Sequence, residues 1–368
     1  LWICFNRKVL IMRIAISGAS GYIGQHLSSF LEGKGYDVIP LGRDLFKEDC
    51  FDELCRCVES CEVVINLAGA SINKRWTEAY KQELYDSRIC VTRQLVHAIN
   101  TRSVKLELFI SASAVGYYPA FGEYDEYHDC RGMDFLARLC GAWEEEASAC
   151  SSDVRLVITR FGVVLSEDGG ALKEMLRLQR FSRVSVVIGN GQQRFPWISL
   201  FDLCRSFGYI IRNRQMRGVV NLVSPDLITQ KQLAHTLARA DKIRRIIPLP
   251  EFFFRLKFGE GASFVTKGQT VHPSKLQESG FTYIYPTIEK LMNITDHHTV
   301  PELDVKRYMG RWYEIARYEN HFERGMTDVT ATYTLLPDGK IRVDIKAAFT
   351  RKPPVVRNNR TLKIIPEN

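Results

Sequence analysis

Apolar runs and amphipathic segments alternate along the first 165 residues of the chain. Near-continuous apolar runs are typical of strands that are buried on both faces. Such runs occur at 14–17, 38–41, 63–69, 106–111 and 156–160. Apolar residues at helical spacing occur at 27–31, 84–99 and 135–149. The alternation predicts an α/β fold, a doubly wound parallel sheet, over residues 12–165.

Three glycines, Gly18, Gly21 and Gly24, stand between the first apolar run and the first amphipathic segment. Strand, tight turn and helix in that order bring backbone amides against the pyrophosphate of a dinucleotide. The first glycine makes the turn, the second allows close approach of phosphate, and the third allows the helix to pack on the strand. The helix dipole then favours the anion. We predict a Rossmann-type nucleotide site, the alternative being a purely structural turn.

The pattern becomes less regular over residues 166–293, which we interpret as a small C-terminal substrate lobe. A glycine loop at 168–170 precedes a helix that ends near Phe181. Further elements are a turn at 189–191, strands at 197–199 and 219–223, and, after Pro248 and Pro250, an aromatic helix at 252–254.

A polar linker at 294–299 leads into short alternating segments over residues 300–368. These segments predict strands at 312–318, 328–336, 340–349 and 361–365. Pro337-Asp-Gly339 is a hairpin turn between the second and third of them. The last part of the chain is therefore predicted to be a separate all-β unit.

Composition narrows the classes of partner. The 368 residues carry a net charge of +8, but the basic residues are spread along the chain, so we expect no nucleic-acid groove. No segment approaches the roughly 18 apolar residues that span a bilayer, so we expect no membrane partner. Residues 1–11 resemble an upstream extension without a secretory pattern, which predicts a cytoplasmic protein.

The ten cysteines all lie at or before Cys204. Cys50, Cys55, Cys57 and Cys61 form a loose cluster without Cys-x-x-Cys spacing and without a nearby histidine. Reduced structural thiols are the favoured interpretation, and we predict no metal site.

The end of the second predicted strand bears on the choice of cofactor. An acid there binds the ribose 2′-hydroxyl of NAD, whereas an arginine accommodates the 2′-phosphate of NADP. Here the strand ends in Leu41-Gly42-Arg43-Asp44, and Arg43 offers a bidentate phosphate donor. We expect NADP; the alternative is that Arg43 is solvated and Asp44 binds the ribose of NAD.

Two later strand ends offer further ligand contacts. Asn66-Leu-Ala-Gly69 ends one strand in small residues, which suit either a cofactor or close packing. Phe109 to Tyr118 runs from a strand into a loop that faces the ligand crevice. Ser113 on that loop can bond a substrate oxygen, the alternative being an ordinary turn serine.

Residues 12–293 resemble the extended short-chain dehydrogenase/reductases, specifically the NAD-dependent epimerase/dehydratase-like group with an added C-terminal segment. The resemblance is carried by Gly18-x-x-Gly21-x-x-Gly24, Asn66–Gly69, Ser87-Arg88, Ser111–Tyr118, Arg160–Leu165, Phe195–Ile198 followed by Asp202, Pro248-Leu-Pro250, and Gly280-Phe281 followed by Tyr285-Pro286. It implies a small-molecule substrate and is compatible with a homodimer. It implies a cofactor site of Gly18, Ser20, Gly21, Tyr22, Ile23, Gly24, Arg43, Leu67, Ala68, Glu83, Arg88 and Val164.

The family's catalytic set is incomplete here. The resemblance implies a Ser or Thr with Tyr-x-x-x-Lys, in which Tyr is the acid/base and Lys lowers its pKa. Phe135 stands where Tyr is expected and Leu139 where Lys is expected. Ser113 remains, and Tyr117 or Tyr118 is the candidate acid, with Tyr117 preferred. Nothing in the sequence supplies the group that would tune such a Tyr from its usual pKa of about 10.

The C-terminal unit is similar to the opening of a bacterial-type lipocalin. Gly310-x-Trp312 matches the signature of the first barrel strand, and Thr330–Thr334 with Asp338-Gly339 fits the next two. A lipocalin closes with eight strands, and this segment offers about four. We expect an incomplete barrel, which is a truncation, a half completed by a partner, or a fusion remnant.

Two functional hypotheses follow. The first is an NADP-dependent, epimerase-like oxidoreductase that acts on a small molecule, for which a sugar nucleotide is one class. The alternative is a non-catalytic NADP-binding regulatory or scaffold protein, which the missing Tyr-x-x-x-Lys favours.

Overall fold

The computed structural model describes residues 11–104, 106–293, 309–313, 326–336, 341–349 and 352–362. The chain divides into two compact units, Leu1–Thr295 and Asp296–Asn368. The predictions for residues 1–10, for the linker at 294–299, for the turn at 337–339 and for the strand ends at 314–318 and 363–365 lie outside the described residues.

The first unit alternates strands and helices throughout. Its strands are β1 Arg13–Ser17, β2 Asp37–Leu41, β3 Val63–Asn66, β4 Leu108–Ala114, β5 Glu123–Tyr124, β6 Arg155–Phe161, β7 Val163–Ser166, β8 Val184–Ile188, β9 Trp197–Ser199, β10 Gly218–Leu222, β11 Arg245–Leu249 and β12 Thr270–Val271. Its α-helices are α1 Tyr22–Glu32, α2 Phe51–Glu59, α3 Glu78–Thr101, α4 Phe135–Ser148, α5 Gly170–Ser182, α6 Leu200–Arg212, α7 Gln230–Ala240, α8 Glu251–Phe258, α9 Ser263–Thr266, α10 Ser274–Glu278 and α11 Ile288–Leu291.

Six strands form one parallel sheet in the order β10-β6-β4-β3-β1-β2. The central strands are buried on both faces, which explains their near-continuous apolar runs. Ile14 of β1 packs with Leu27 of α1 and Phe207 of α6, while its neighbour Ala15 packs on the other face with Leu54 of α2. The predicted doubly wound parallel sheet is confirmed.

The strand order reverses direction between β1 and β3. From β1 the chain moves to β2 on one side and then crosses to β3 on the other. Ligands of open α/β sheets bind in the crevice outside the carboxyl ends of the strands at such a switch point. The turn after β1 and the loop after β3 therefore flank the place where a ligand is expected.

Several element boundaries differ from the sequence prediction. Helix α3 begins at Glu78 rather than Leu84, because the Thr77 side chain accepts a hydrogen bond from the Tyr80 amide and caps the helix. Helix α2 was missed since its cysteines obscure the helical spacing of the buried Leu54 and Val58. Helices α6 and α7 and strands β8 and β11 were also missed.

The region interpreted as a lobe contains the small parallel sheet β11-β8, and its strand β9 pairs in parallel with β7, which precedes the lobe. Pro248 lies inside β11 opposite Val187, although prolines predict a break. A two-stranded sheet consists of edge strands only, where a proline need not remove a ladder hydrogen bond. This explains why the sequence pattern concealed the strand.

Two buried ionic side chains hold this unit together. Asp202 is fully buried, and its carboxylate accepts hydrogen bonds from the amides of Ile284 and Tyr285 at 2.9 and 2.8 Å. Arg155 on β6 donates to the carbonyl oxygens of Ile210, Ile211, Asn213 and Met216, at and just beyond the carboxyl end of α6. These contacts satisfy backbone groups that the helix end leaves unpaired.

The second unit is an antiparallel sheet in chain order. Its strands are β13 Gly310–Tyr313, β14 Met326–Leu335, β15 Ile341–Phe349 and β16 Lys352–Leu362. The strand predicted at 361–365 is wrong in its start: β16 begins at Lys352, and Leu362 pairs with Ile341. The prolines at 353 and 354 masked the strand pattern, and an edge position tolerates them.

Candidate active site

The glycine turn after β1 is closely packed. Gly18 has a φ of 74°, and a Cβ there would lie 2.8 Å from the carbonyl carbon of Leu67. A Cβ on Gly24 would lie 2.2 Å from the Gly18 oxygen, so this glycine allows α1 to pack on the turn. A Cβ on Gly21 would meet a single atom, the Gly18 oxygen at 3.2 Å, and otherwise projects into open space.

The start of α1 suits an anion. Gly21 is the N-cap and provides no side-chain hydrogen bond, and the first turn carries no acidic residue. The first backbone amides of a helix have no intrahelical partner, and they carry the positive end of its dipole. Ser20 is exposed beside them, and Ile23 packs against the core.

Tyr22 connects this turn to the loop before α5. A Cβ on Gly169 would lie 2.2 Å from the Tyr22 ring, so the ring rests directly on that glycine. The Tyr22 hydroxyl oxygen is buried and has no hydrogen-bond partner within the described ranges. Val164 lies half-buried on β7, opposite Ile198. The hydroxyl of this first residue of α1 is thus, among the described residues, a buried donor without a partner, which a ligand oxygen would satisfy.

Two charged residues follow β2, and in the described part of the chain one forms an ion pair and the other does not. Asp44 forms an ion pair with Lys47 at 2.5 Å. Hydrogen bonding to Lys47, followed by its charge, lowers the pKa of Asp44. Arg43 is exposed and makes no hydrogen bond or ion pair with the described part of the chain. The arginine is therefore the residue at this strand end that is open to a ligand.

The end of β3 is held by a buried polar network. Ser17 Oγ donates to Asn66 Oδ1 at 2.6 Å, and Asn66 Nδ2 donates to Thr92 Oγ1 at 2.8 Å. The Ala68 amide also donates to Asn66 Oδ1, at 3.2 Å. The network fixes the loop that carries Leu67 and Ala68 beside the glycine turn.

Arg88 approaches the same loop from α3. Its guanidinium donates to the carbonyl oxygens of Ala70 and Leu84 and lies 5.3 Å from the Trp143 ring centroid. Burial lowers the pKa of Arg88. No carboxylate pairs with it in the described ranges, so no neighbouring side chain there neutralises its charge. Glu83 lies nearby on α3 and is exposed.

Ser113 lies near the carboxyl end of β4 and is 2 % exposed. Its Oγ donates to Glu144 Oε1 of α4 at 2.6 Å. Arg160 of β6 binds both oxygens of that carboxylate, at 2.8 and 2.7 Å. Burial opposes the charge of Arg160, but its hydrogen bonds to Glu144 raise the pKa. Because its hydrogen is engaged, Ser113 is left to accept a hydrogen bond rather than donate one.

The two tyrosines after β4 differ in availability. Tyr118 is buried, and its hydroxyl is bonded to the Asp125 carbonyl at 2.9 Å and to Asn221 Oδ1 at 3.1 Å. Tyr117 is half-buried, and its hydroxyl donates to the exposed Asp129 at 3.4 Å. Burial raises the pKa of Tyr117, while the charge of Arg160 opposes that effect. Tyr117 is the tyrosine with a hydroxyl still near solvent.

Phe135 and Leu139, which occupy the positions of the family's Tyr and Lys, lie in apolar surroundings in the structure. Phe135 begins α4 and packs edge-on against Trp76, with ring centroids 5.3 Å apart. Leu139 is buried in the same cluster. Lys81 lies 5.5 Å from the Phe135 ring centroid but is paired with Glu78 and Glu260.

The sequence interpretation missed Glu144 and Asp129 as partners of the site. Glu144 follows the incomplete Tyr-x-x-x-Lys motif, and Arg160 is the first residue of a segment that matches the family. Neither position in the sequence indicated that the two side chains form an ion pair between α4 and β6. A carboxylate five residues after the expected lysine position is the signal that was available.

Three absences concern the described residues only. In those ranges no group of three or more His, Cys, Asp or Glu is arranged to hold a metal ion. The nine described cysteines are free thiols. Among the described helices, none has both the length and the apolar character that crossing a bilayer requires.

Sequence comparison identifies three segments. The profile of the NAD dependent epimerase/dehydratase family matches residues 14–222. A domain of unknown function matches 249–293, and a lipocalin-like domain matches 303–358. The predicted order of an epimerase-type segment, its C-terminal extension and a lipocalin-like segment is confirmed.

Relatives cover most of the first unit. The Arabidopsis thaliana "Epimerase family protein SDR39U1 homolog, chloroplastic" is 33% identical over 78% of this chain and 87% of its own length. The Bacillus subtilis "Epimerase family protein YfhF" is 34% identical over 78% of this chain and all of its own. The mouse "Epimerase family protein SDR39U1" is 33% identical, covering 75% and 97%.

Two solved structures share the fold at appreciable identity. The human epimerase family protein SDR39U1, crystallised with NADPH, has a TM-score of 0.71 and 32% identity over 77% of this chain and 98% of its own. A nucleoside-diphosphate sugar epimerase from Corynebacterium glutamicum has a TM-score of 0.61 and 26% identity, covering 77% of this chain and 57% of its own.

Proposed function

The chain belongs to the NAD-dependent epimerase/dehydratase family, and we propose that it is an NADP-dependent enzyme of epimerase or oxidoreductase type that acts on a small molecule. One observation carries the proposal. The glycine turn lies at the switch point of the sheet, in contact with Leu67, and leaves the first amides of α1 uncapped. A dinucleotide pyrophosphate fits that arrangement of donors.

The preference for NADP rests on the end of β2. Arg43 is unengaged, whereas Asp44 is paired with Lys47 and is thereby drawn away from a ribose hydroxyl. A guanidinium can bind a 2′-phosphate through two parallel hydrogen bonds. The NADPH held by the human relative supports the same choice.

The remaining cofactor contacts are those that the family resemblance implies. Gly18, Ser20, Gly21, Tyr22, Ile23 and Gly24 surround the phosphates in this proposal, with Leu67, Ala68, Glu83, Arg88 and Val164 along the rest of the dinucleotide. Arg88 supplies a cation where the family's lysine is missing, because its guanidinium has no carboxylate partner in the described ranges. When bound, the dinucleotide supplies or accepts a hydride.

Ser113 and Tyr117 are the proposed catalytic residues. Ser113 Oγ donates to Glu144, so it is suited to accept a hydrogen bond from a substrate hydroxyl. Tyr117 retains a proton that can pass to a carbonyl oxygen. The likeness to a nucleoside-diphosphate sugar epimerase makes sugar nucleotides the substrate class to test first.

The proposal assigns a role to each part of the chain. Residues 12–165 bind the nucleotide, 166–293 select the substrate, 294–299 link the units, and 300–368 form the incomplete lipocalin-like sheet. The free thiols of the described ranges fit a reducing cytoplasm, where we place the protein. A homodimer is the assembly proposed, and light scattering on the full chain tests it.

Titration calorimetry of the full chain with NADPH and NADH is the first test. We expect tighter binding of NADPH, and loss of that preference in Arg43→Ala with NADH affinity unchanged. Equal affinities in the wild type, or tighter binding of NADH, would overturn the NADP assignment. A panel of uridine and thymidine diphosphate sugars, followed by product chromatography, then tests the chemistry.

A second candidate is a regulatory or scaffold protein that binds NADP without turnover. Phe135 and Leu139 favour it, since neither can transfer a proton and they pack in a closed apolar cluster. Tight NADPH binding together with no conversion of any carbonyl or sugar-nucleotide probe would support this candidate over the enzyme.

A further inference from the structure

We propose that Arg160, clamped by Glu144, is a positioning residue that fixes Tyr117 as the proton donor of the crevice. The inference rests on the proposed function, because a proton donor is needed only if the protein catalyses a reaction. It assigns the task of the missing Tyr-x-x-x-Lys pair to residues of β6, of α4 and of the turn after β4.

The contact between Arg160 and Tyr117 is close. The guanidinium carbon lies 3.5 Å from the centroid of the Tyr117 ring, against 4.7 Å from that of Tyr118. A cation over a ring face is attracted by the ring's electron density, and the attraction strengthens as the ring gains negative charge. The guanidinium therefore favours both the orientation of Tyr117 and the loss of its proton to a substrate.

The guanidinium is itself rigidly held. Glu144 binds it through two hydrogen bonds and also accepts the hydrogen of Ser113, so the carboxylate joins β4, α4 and β6. Arg160 is 4% exposed and Glu144 is 8% exposed. A buried ion pair is weak evidence for stability, since desolvation offsets its attraction. Its geometric effect here is to prevent the guanidinium from leaving the ring.

Tyr117 also has a route by which its proton can be restored. Its hydroxyl lies 3.4 Å from Oδ1 of Asp129, which is exposed to solvent. Tyr118 lacks such a route because its hydroxyl is engaged with Asp125 and Asn221 inside the fold. The different hydrogen bonds of the two hydroxyls thus give a physical reason to prefer Tyr117 over Tyr118.

The proton balance of a carbonyl reduction closes with these residues. The carbonyl carbon gains a hydride from the reduced dinucleotide, which is oxidised, and the electron pair of the C=O π bond moves to oxygen. That oxygen takes the proton of Tyr117 Oη and becomes a hydroxyl. Water then returns a proton to the tyrosinate by way of Asp129.

The charged groups that face Tyr117 determine the sign of each expected effect. Burial raises its pKa, the charge of Arg160 lowers it, and the charges of Glu144 and Asp129 raise it further. A Tyr with a raised pKa is protonated at neutral pH, as a donor must be. Loosened packing alone would expose the ring and return its pKa toward the ordinary value of about 10.

Carbon-13 NMR of the full chain labelled at tyrosine Cζ tests the positioning directly and needs no substrate. Tyr117→Phe assigns the resonance, and circular dichroism confirms the fold across the pH range. We expect Arg160→Lys to raise the pKa of Tyr117 by about half a unit, since a lysine keeps the charge but not the planar guanidinium that stacks on the ring. Glu144→Gln should lower it, because the guanidinium is then no longer neutralised.

Arg155→Lys is the matched control: another buried arginine of the same strand, bonded to backbone carbonyls and not to Glu144. Its Tyr117 titration should match the wild type. An unchanged Tyr117 pKa in folded Arg160→Lys overturns the positioning role, and so does a fall in both Arg160→Lys and Glu144→Gln.

The donor role has its own readout, the NADPH-dependent reduction of 9,10-phenanthrenequinone as a carbonyl probe. We expect Tyr117→Phe to lower kcat at least tenfold with the NADPH affinity unchanged. Full activity of Tyr117→Phe, or a wild type that binds NADPH and reduces no probe, overturns the donor role. Absence of NADPH binding instead refutes the proposed function and leaves the NMR result standing.

Discussion

The glycine turn allows folding and cofactor binding to be separated by two neighbouring substitutions. Gly24→Ala places a Cβ 2.2 Å from the Gly18 oxygen and 2.7 Å from the Ala19 Cα, both of them backbone atoms that cannot rotate away. The turn must then move by about 1 Å to reach ordinary contact distance. Forced overpacking of this kind costs about 1–3 kcal/mol of unfolding free energy. Each such kilocalorie lowers Tm by about 2–4 °C in a domain of this size class.

Gly21→Val should behave in the opposite way. Its Cβ meets only the Gly18 oxygen at 3.2 Å, and the backbone at this position is extended, which a branched residue accepts. The valine methyl groups instead occupy the space that phosphate needs. We expect a Tm within about 2 °C of the wild type and no measurable NADPH binding.

Thermal unfolding by circular dichroism and calorimetric titration with NADPH measure the two effects on the same samples. Gly33→Ala, beyond the other end of α1, is the control, since its Cβ comes no closer than 3.3 Å to another atom. It should change neither quantity. A folded Gly21→Val that binds NADPH with wild-type affinity would refute the placement of the pyrophosphate, and an unshifted Tm in Gly24→Ala would refute the packing argument.

Three further expectations follow from the structure. Ser113→Ala should lower turnover on the order of 10²-fold, the effect of one lost transition-state hydrogen bond, and unchanged kcat would show that another group carries the reaction. Arg155→Met should lower the unfolding free energy by about 2–4 kcal/mol in urea titrations, because buried carbonyl oxygens at the end of α6 lose their donor. NADPH affinity should stay the same. A variant as stable as the wild type would contradict the role of Arg155 in capping α6. Ending the chain after Asn293 should leave Tm and NADPH affinity unchanged, since the first unit contains its own core; a fall of many degrees would show that the lipocalin-like segment belongs to that fold.

Much of the fold was accessible from the sequence because its signals are local. Strands buried on both faces show as apolar runs, and the glycine turn shows as a fixed spacing around Gly21. Boundaries set by a side chain outside the pattern, such as the Thr77 cap of α3, were not visible in the apolar spacing. Strand β11 was concealed because Pro248 signals a break unless the strand is known to be an edge.

The sequence predicted that the candidate site lies at the ends of the parallel strands, but it did not predict which side chains contact one another there. The sequence predicted that Ser113 and Tyr117 lie on a loop after a buried parallel strand, but Ser113 lies within β4 itself and only Tyr117 follows it. Their partners come from α4 and β6, and Glu144 meets Arg160 only after both elements pack on the sheet. An ion pair between distant segments leaves no periodic trace in a single sequence, so the Glu144–Arg160 pair was missed.

The buried Asp202 determines how much of the chain must be synthesised before its hydrogen bonds are complete. Its carboxylate depends on the amides of Ile284 and Tyr285, which are synthesised long after α6 itself. A nascent chain that has emerged only as far as α7 holds a negative charge without two of its donors, which disfavours closure of that part of the core. A chain that ended before residue 284 would leave the buried Asp202 carboxylate with Ser199 and Arg205 as its side-chain donors, so the last part of the first unit completes the hydrogen bonding of a side chain near its middle.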